Sequence, residues 1–592
     1  MQFRLFQRTF RRRYRKGQRQ VEDLGIQAEA GLERLFFKRL GHLGKVWRFI
    51  AGWVVLLLLL LAGVISQLAG LSSHYQRLQP VPGGTYTEGV LGTFTTANPL
   101  FATSEVDTTV SRLLFDGLFT YDRHDHLVGN LASGYDVDAK GTLYTVHLRP
   151  NLRWHDRQPL TADDVVYTYG VIQNPDAQSP LASSWQNIKV AKVDAYTVTF
   201  SLPTPLSSFP YNMTNGIVPR HLLAAHPAGE LRTLDFNTAN PVGSGPFRWN
   251  VIQVERADND NSEILISLLP NTDYHAGQPK LAGFVVDAFA SQESLLHAFQ
   301  SGRLTGAVGI KDVAAAVAGK PKVQQNSFIL TAATMVFFNT SNPILSDTKV
   351  RQALVQGTDA SRIVNDLGYT THPVREPLLL GQLAYDKAFA EAAYDAPAAR
   401  AALTADGWLV GKDGLRAKAG QPLAFTLSAI DSPENDKVAR SLQTYWKTIG
   451  AKVTLNLRTE SDLRSTVDAR GYDALLYSVS IGVDPDVFVY WDSSQNDPRS
   501  TRLNLSNYKS TVADTALEAG RTRLNPFLRV VKYRSFLQAW QQDAPALGLY
   551  QPRFLYLTNQ KVYGLDQSTI NVGTDRFNNV QNWMIRTAEV TN

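Results

Sequence analysis

Short motifs typical of hydrolytic active sites are incomplete in this chain. Gly243-Ser244-Gly245 places a glycine directly on each side of the serine, whereas the strained nucleophile turn of α/β-hydrolases requires G-x-S-x-G. Residues 346–349 and 506–509 fit S-x-x-K, but the S-D-N and K-T-G partners of penicillin-binding enzymes do not occur. The sequence also has no H-E-x-x-H zinc motif and no Walker A loop. These patterns favour a protein that is not an enzyme.

Metal-ligating residues are equally sparse. The chain has no cysteine, which excludes disulfides and thiolate metal sites. Its 11 histidines are scattered, and the two closest pairs, His124 with His126 and His221 with His226, have no further histidine nearby in sequence. A zinc site needs three or four clustered ligands. We therefore expect neither a metal nor a cofactor.

Several polar residues that resemble site residues have a simpler structural interpretation. Trp154-His155-Asp156 is typical of a packed strand end with a capping carboxylate. Asp163 and Asp164 follow Thr161, where carboxylates stabilise the first turn of a helix through its dipole. Gly243 and Gly245 are predicted to flank a tight turn with positive φ.

An uncharged apolar stretch from residue 49 to about residue 67 divides the chain. Residues 54–61 are all valine or leucine, and each contributes about 0.3–0.6 kcal/mol to insertion at the bilayer centre. The first 48 residues contain 13 Lys and Arg against 4 Asp and Glu, a net charge of +9. The positive-inside rule then predicts a cytoplasmic N-terminus and an exported remainder. Since the whole chain carries +6, the remainder carries −3, which argues against a nucleic-acid partner.

The apolar stretch is predicted to be an uncleaved membrane anchor. Its basic flank is too long for a signal peptide, and about 19 residues match a hydrocarbon core near 30 Å. Lipoprotein-type lipidation is excluded because there is no cysteine. We expect a cytoplasmic tail over residues 1–48, a single-pass transmembrane helix over 49–68 and a linker over 69–83.

The tail contains a predicted amphipathic helix. Apolar residues recur there at helical spacing, with charged residues on the other faces of the wheel: Leu32, Leu35, Phe36, Leu40, Leu43 and Trp47. Such a helix suits the inner surface of the membrane. A helix that docks a membrane partner would have the same pattern, so both interpretations stay open.

Beyond the linker, strand and helix patterns alternate, which predicts an α/β protein with more than one domain. Strands are predicted at residues 144–148, 196–202, 263–269, 283–288, 331–339 and 423–428. Helices are predicted at residues 108–115 (capped by Asp107), 161–172, 347–354, 434–449 and 530–542.

An ordered series of motifs then resembles the family 5 solute-binding proteins of ABC importers, which include dipeptide-, oligopeptide- and nickel-binding proteins. The resemblance covers roughly residues 84–570, and the complete series is specific where any one motif is weak. The motifs lie at residues 113–119, 127–132, 144–149, 154–156, 159–167, 241–247, 338–340, 350–354 and 543–550.

This resemblance implies a two-lobed, periplasmic-binding-protein-like fold (type II, cluster C) with mixed sheets, in addition to the N-terminal transmembrane helix. The first lobe is expected over residues 84–320, with a subdomain at about 119–215, and again over 549–592. The second lobe is expected over 321–548. Lobes of this kind close around a ligand by a hinge motion, and the ligand is then delivered to a separate ABC permease and ATPase.

The resemblance also implies the ligand-binding residues. In peptide-binding relatives, the peptide backbone pairs with an extended segment from each lobe, which gives affinity with little sequence preference. The first-lobe segment is Thr103-Ser104-Glu105, and the second-lobe segment is Tyr477-Ser478-Val479-Ser480-Ile481, ahead of Asp484. Weaker candidates for the cleft are Arg375, Tyr490 and Trp491.

One position departs from the family pattern. Ile481 stands where peptide-binding relatives have an aspartate that receives the terminal ammonium of the peptide. A buried ammonium without a counter-charge loses about 3–5 kcal/mol. Either another carboxylate serves, and Glu105 or Asp484 is the hypothesis, or the ligand has no free terminal amine.

Three function classes follow. The leading one is extracytoplasmic capture of peptides for an ABC importer; the same lobes also suit a non-peptide solute such as a sugar or a metal chelate. The second is a membrane-tethered peptide or pheromone sensor, with the basic tail as its output. The third, an exported hydrolase, is disfavoured because no catalytic constellation is present.

Overall fold

The computed structural model describes residues 38–256, 262–311, 313–497, 503–566 and 568–591. It divides into two units: Pro80–Arg586 forms one, and the described residues before and after it form the other. Most of the predicted tail and its amphipathic helix lies outside the described residues. The structure describes the backbone from Lys38 and the side chains from Trp47.

The smaller unit consists of a long helix and a strand pair. Helix Lys38–Tyr75 contains Trp47–Gln67, 21 residues that are long and apolar enough to cross a membrane and whose side chains are not buried. An anchor and a signal sequence share these properties. Strand Gln76–Val81 follows at once and pairs with strand Arg586–Thr591. Helix and strand therefore continue through residues 69–81, which form most of the predicted linker.

The first lobe of the larger unit is built on an eight-stranded mixed sheet. At its centre, Thr85–Leu91 runs parallel to Gly283–Phe289 and to Gly306–Val308, so that Val90 lies beside both Ala288 and Val308. Every residue of Gly283–Phe289 except Val285 is buried, as expected for a strand covered on both faces. In spatial order the strands are Thr569–Ile570, Gln324–Leu330, Arg553–Thr558, Gly306–Val308, Thr85–Leu91, Gly283–Phe289, Ser262–Pro270 and Phe247–Arg256.

A subdomain is inserted into the first lobe. Its antiparallel sheet has the order Ala132–Val137, Leu143–Leu148, Thr197–Ser201, Lys189–Asp194. Helix Ala162–Gln173 packs against this sheet, and a smaller strand pair joins Phe119–Tyr121 to Leu127–Gly129. The other helices of the lobe are Glu105–Leu114, Arg220–Leu223, Gln292–Ser301 and Val313–Val317.

The second lobe is built on a five-stranded mixed sheet with a core on each face. In spatial order its strands are Lys452–Arg458, Ala424–Ile430, Ala474–Ser480, Ala332–Phe338 and Ala546–Tyr550. Along Ala332–Phe338, Val336 and Phe338 enter one core while Met335 and Phe337 enter the other, as the two-residue period of a strand requires. The helices are Thr348–Gln356, Ala360–Asp366, Ala396–Ala405, Pro433–Thr448, Glu460–Asp468, Phe488–Trp491, Thr511–Arg521 and Pro526–Asp543. A small sheet joins Leu409–Val410, Arg416–Lys418 and Gln421–Pro422.

The chain crosses between the lobes at two adjacent places. Leu330 ends a first-lobe strand and Ala332 begins a second-lobe strand, while Tyr550 and Arg553 mark the return. The two crossings are hydrogen-bonded, because the side-chain amide of Gln551 donates to the Leu330 carbonyl oxygen at 2.9 Å. The lobe boundary therefore lies at Thr331, ten residues after the predicted one, because strand Gln324–Leu330 pairs with Arg553–Thr558 in the first lobe.

The secondary-structure predictions are confirmed with small shifts at the ends of elements. The predicted N-terminal cap of one helix is wrong: Ser104, not Asp107, caps helix Glu105–Leu114. The Asp107 carboxylate instead accepts hydrogen bonds from the backbone N–H groups of Thr95 and Thr96, at 2.7 and 3.0 Å. This carboxylate therefore fixes the preceding loop rather than the helix end.

Candidate ligand-binding cleft

The end of strand Ala474–Ser480 has an open edge. On one side it pairs with Ala332–Phe338 along its whole length, so that Ser480 lies opposite Ala332. On the other side the pairing with Ala424–Ile430 involves only Ala474 and Leu475. Residues 476–480 thus have a strand on one side only within the described part of the chain. Such an edge presents backbone N–H and C=O groups that an extended ligand can pair with.

Side chains alternate along this edge. Ser478 and Ser480 are exposed, Val479 is buried and Tyr477 is half-buried. The Ser478 hydroxyl lies 2.8 Å from that of Thr334 on the neighbouring strand. Small polar side chains therefore cover the accessible face, which leaves room for a ligand close to the backbone.

The strand ends at the crossing between the lobes. The backbone N–H groups of Ile481 and Gly482 both donate to the Thr331 carbonyl oxygen at 2.9 Å. The Thr331 hydroxyl in turn donates to the side-chain oxygen of Asn571 in the first lobe at 2.5 Å. The second-lobe segment is therefore fixed at the place where the lobes meet.

The first-lobe segment, residues 103–105, lies at the start of helix Glu105–Leu114. Thr103 is exposed, and the Ser104 hydroxyl accepts a hydrogen bond from the Asp107 N–H at 3.0 Å. Glu105 is 39% exposed, and its Oε1 lies 3.6 Å from Nη1 of Arg576. Arg576 is fully buried and binds Glu88 at 2.7 Å. A second carboxylate thus already holds this arginine, and Glu105 Oε1 makes no hydrogen bond.

A chain of contacts connects the two predicted segments. The residue before Arg576 is Asp575, whose carboxylate accepts a hydrogen bond from the Asn571 N–H at 3.0 Å. Asn571 also binds Thr331, to which Ile481 is bonded. Glu105 and Ile481 are therefore linked through one short segment of the first lobe that lies at the crossing.

Aspartate 484 does not have a free carboxylate. Arg529 donates to both of its oxygens, at 2.6 and 2.8 Å, and the two side chains are only 7% and 9% exposed. Burial lowers the pKa of Arg529, but the hydrogen bonds and charge of Asp484 outweigh it and raise that pKa above its ordinary value. Asp484 is therefore already paired with an arginine, which argues against its receiving a ligand ammonium.

A similar pairing two residues later joins the lobes. Arg521 lies 3.1 Å from Asp486, and the first-lobe Ser208 hydroxyl donates to the same carboxylate at 2.8 Å. The N–H of Ser207 also donates to the carbonyl oxygen of Arg521 at 2.9 Å. These contacts hold the lobes together beside the open edge.

Three weaker candidates have structural roles here. Trp491 is 1% exposed and stacks on Phe337 in the second-lobe core, so it does not line the cleft. Tyr490 is also buried, and its hydroxyl donates to the Ser480 carbonyl oxygen. Arg375 donates to the carbonyl oxygens of residues 391 and 392, both at 3.0 Å. Ile481 itself is buried in the same core as Trp491.

The loop that contains Arg375 packs against the cleft segment. The Gln382 side-chain amide donates to the Gly482 carbonyl oxygen at 2.8 Å. Two buried carboxyls hold this loop, and burial raises the pKa of both Glu376 and Glu391 to about 8. Both groups are therefore largely protonated at neutral pH, as buried acids without a full counter-charge tend to be.

Two tyrosines of the first lobe lie within electrostatic reach of Asp484 and were not predicted from the sequence. Tyr121 and Tyr211 stack with ring centroids 6.4 Å apart, and both are half-buried. Burial raises the pKa of both hydroxyls, and the negative charge of Asp484 in the second lobe adds to the rise. No motif marks them, since one ends a three-residue strand and the other lies in the short 3-10 helix Phe209–Thr214.

A third unpredicted residue, Asp125, lies in the turn that follows Tyr121. It is half-buried with φ of 60°, and its pKa is raised to about 7, first by burial and then by the negative charge of Asp575. Tyr121, Tyr211 and Asp125 of the first lobe thus lie within electrostatic reach of Asp484 or Asp575.

Comparisons with known proteins agree with this geometry. The model of bacterial extracellular solute-binding proteins, family 5, matches residues 126–500. The oligopeptide-binding protein AppA of Bacillus subtilis is 26% identical over 489 residues, which cover 80% of this chain and 87% of that protein.

Solved structures show the same fold. NikZ from Campylobacter jejuni in complex with Ni(L-His) has a TM-score of 0.70 at 25% identity, covering 84% of this chain and 99% of that one. AppA from Bacillus subtilis in complex with a nonapeptide has a TM-score of 0.66 at 24% identity, covering 86% and 100%. The match of the family model extends over more than half of the sequence, and the chain belongs to the family 5 bacterial extracellular solute-binding proteins.

Proposed function

We propose that this protein captures peptides outside the cytoplasmic membrane and delivers them to an ABC permease and its ATPase. The observation that carries the proposal is the open edge of residues 476–480 beside the lobe crossing. A peptide in extended conformation adds a strand to such an edge through its backbone, whatever its side chains are. The similarity to an oligopeptide-binding protein supports the same ligand class.

Each part of the cleft has a role in this proposal. The backbone of Tyr477 to Ser480 pairs with the peptide, and Thr103 and Ser104 approach it from the first lobe. Tyr121 and Tyr211 provide flat apolar faces for a peptide side chain. Glu105 receives the terminal ammonium, because its side chain is 39% exposed and its arginine neighbour is bound to Glu88.

The helix that contains Trp47–Gln67 serves in this proposal as an uncleaved anchor with a cytoplasmic N-terminus. The excess of Lys and Arg before it supports that orientation. A tether of this kind keeps a binding protein at the membrane where its permease lies.

The test is a thermal-shift measurement on the full chain in detergent. A peptide pool and single free and N-acetylated peptides are compared, and a ligand at about 100 times its Kd stabilises the folded state by about 2.7 kcal/mol. Wild type is expected to prefer the free peptide, while Glu105→Gln binds the free and acetylated forms equally. If no peptide shifts the transition, peptide capture is refuted; if wild type does not discriminate, the role of Glu105 is refuted.

A non-peptide solute is the second candidate, favoured by one observation. Ile481 is apolar and Asp484 is neutralised by Arg529, so the second-lobe segment offers no free carboxylate to an ammonium. Sugars, amino acids and nickel chelates belong in the same thermal-shift series. Stabilisation by one of these with no response to peptides would select this function.

A further inference from the structure

The first two turns of helix Pro526–Asp543 present an apolar face to solvent. Phe527 is 83% exposed, Val531 is 65% exposed and Leu528 is 50% exposed. Scattered surface hydrophobes are ordinary, but adjoining ones on one helical face indicate an interaction surface. Farther along, the same helix buries Tyr533 and Trp540 in the second-lobe core, so the exposed face lies at the tip of a well-packed element.

Positive charge surrounds these residues. Residues 519–542 contain five Lys and Arg but no Asp or Glu. Two of the five are Arg521 and Arg529, which are bound to the aspartates described above. The others, Arg523, Lys532 and Arg534, are exposed and form no ion pair within the described part of the chain. We call the three apolar and three basic residues the helix-tip surface.

We propose that the helix-tip surface docks on the anionic headgroup region of the membrane to which the protein is tethered. Exposed Phe and Leu beside Lys and Arg are the combination that enters the boundary between headgroups and acyl chains. Anionic lipids attract cations placed near the bilayer surface. Charge and apolar character are thus both complementary to one partner.

The length of the tether supports this partner. The apolar segment ends at Gln67 and the larger unit begins at Pro80. Thirteen residues span at most about 45 Å, so Pro80 of an anchored chain remains within that distance of the end of the apolar segment. This step rests on the anchor in the proposed function. A protein partner is less suited, because three apolar side chains fall far short of the roughly 800 Å² that each side of a stable interface buries.

Because the chain has no cysteine, a single introduced cysteine can be labelled at one chosen position. Val531→Cys with a polarity-sensitive fluorophore is compared with Val193→Cys, whose position in strand Lys189–Asp194 of the first lobe is similarly exposed at 62%. The full-length chain is reconstituted into phosphatidylcholine vesicles with or without phosphatidylglycerol, and quenching by a lipid-borne quencher is recorded.

Quenching is expected at position 531 but not at 193, and only in the anionic vesicles. The pair Lys532→Glu and Arg534→Glu should lower the docked-to-undocked ratio at least about 30-fold. Raised salt should weaken docking in the same direction. The control pair, Lys189→Glu and Lys412→Glu, changes the same charge at exposed positions elsewhere and should have no effect.

Four outcomes overturn the proposal: equal quenching at both positions, no quenching in anionic vesicles, quenching that survives charge reversal, or quenching only after a permease is added. The last would assign the surface to a protein. A separate carbonate wash reports whether the chain is anchored at all, and the thermal shift with peptides reports ligand binding. Failure of docking is therefore distinguishable from failure of the proposed function.

Discussion

Replacing Asp484 by asparagine tests the assignment of this carboxylate to structure rather than to ligand. The substitution leaves the Arg529 guanidinium charged in a site where both side chains are less than one-tenth exposed. Removing one partner of a buried ion pair costs about 3–5 kcal/mol, because the remaining charge is uncompensated. We expect a loss of this size in urea unfolding followed by tryptophan fluorescence, to which Trp491 and Trp540 of the second-lobe core contribute. Peptide binding by the folded variant should persist.

Two matched variants separate pairing from a general effect of the substitution. Asp436→Asn breaks the exposed pair with Arg440 one helical turn away and should cost less than about 1 kcal/mol. Combining Asp484→Asn with Arg529→Met removes the stranded charge and should recover at least half of the loss. A loss below about 1 kcal/mol for Asp484→Asn would refute the structural role of this pair. Abolished peptide binding at that unchanged stability would refute it in favour of a ligand role. The second result would return Asp484 to the ligand site.

Three further predictions follow. Burial raises the pKa of Glu391 to about 8, against 4.5 ordinarily. Its contribution to the free energy of unfolding is therefore full below pH 4.5 and falls as the pH rises toward 8, by an order of 1–4 kcal/mol. Glu391→Gln should reduce this pH dependence in unfolding measured at several pH values, and an unchanged dependence would contradict the prediction. Gly243→Ala should lower the melting temperature markedly, since a Cβ there would lie 1.9 Å from the Leu114 carbonyl oxygen, whereas Gly134→Ala meets nothing within 4 Å and serves as the control. The chain should stay in membranes after a carbonate wash with its full-length mass, and a product shorter by about 70 residues would show that the apolar segment is a cleaved signal.

The strands and helices that were predicted from periodicity and composition agree with the structure, because these elements depend on local sequence. The buried strand Ala332–Phe338 and the helix Thr348–Gln356 are examples. The lobe boundary was missed because strand Gln324–Leu330 has exposed or half-buried residues at six of seven positions and is identified only by its pairing with Arg553–Thr558. Such pairing brings together residues more than 200 positions apart.

The site was predicted less completely, for the same reason. The family resemblance predicted a ligand segment at residues 477–481, which overlaps the open edge, but the neutralisation of Asp484 depends on an arginine 45 positions later in the chain. The prediction of positive φ at Gly243 was wrong: its φ is not positive, and glycine is needed there because the Leu114 carbonyl approaches closely. Trp491 was an aromatic candidate for the cleft because its sequence neighbourhood does not reveal that Phe337 and Trp540 enclose it.

The open strand edge also bears on how the protein avoids self-association. An unpaired edge is a template for pairing with an identical edge of another molecule. Here only five residues of the strand are open. The strand ends at Ser480, and Gly482 just beyond it has a φ of 78°, which turns the backbone away from an extended path. A short segment of guest chain is accommodated, whereas two copies of this protein find too few partners to build a continuous intermolecular sheet. The brevity of the edge therefore limits aggregation while the binding surface stays accessible.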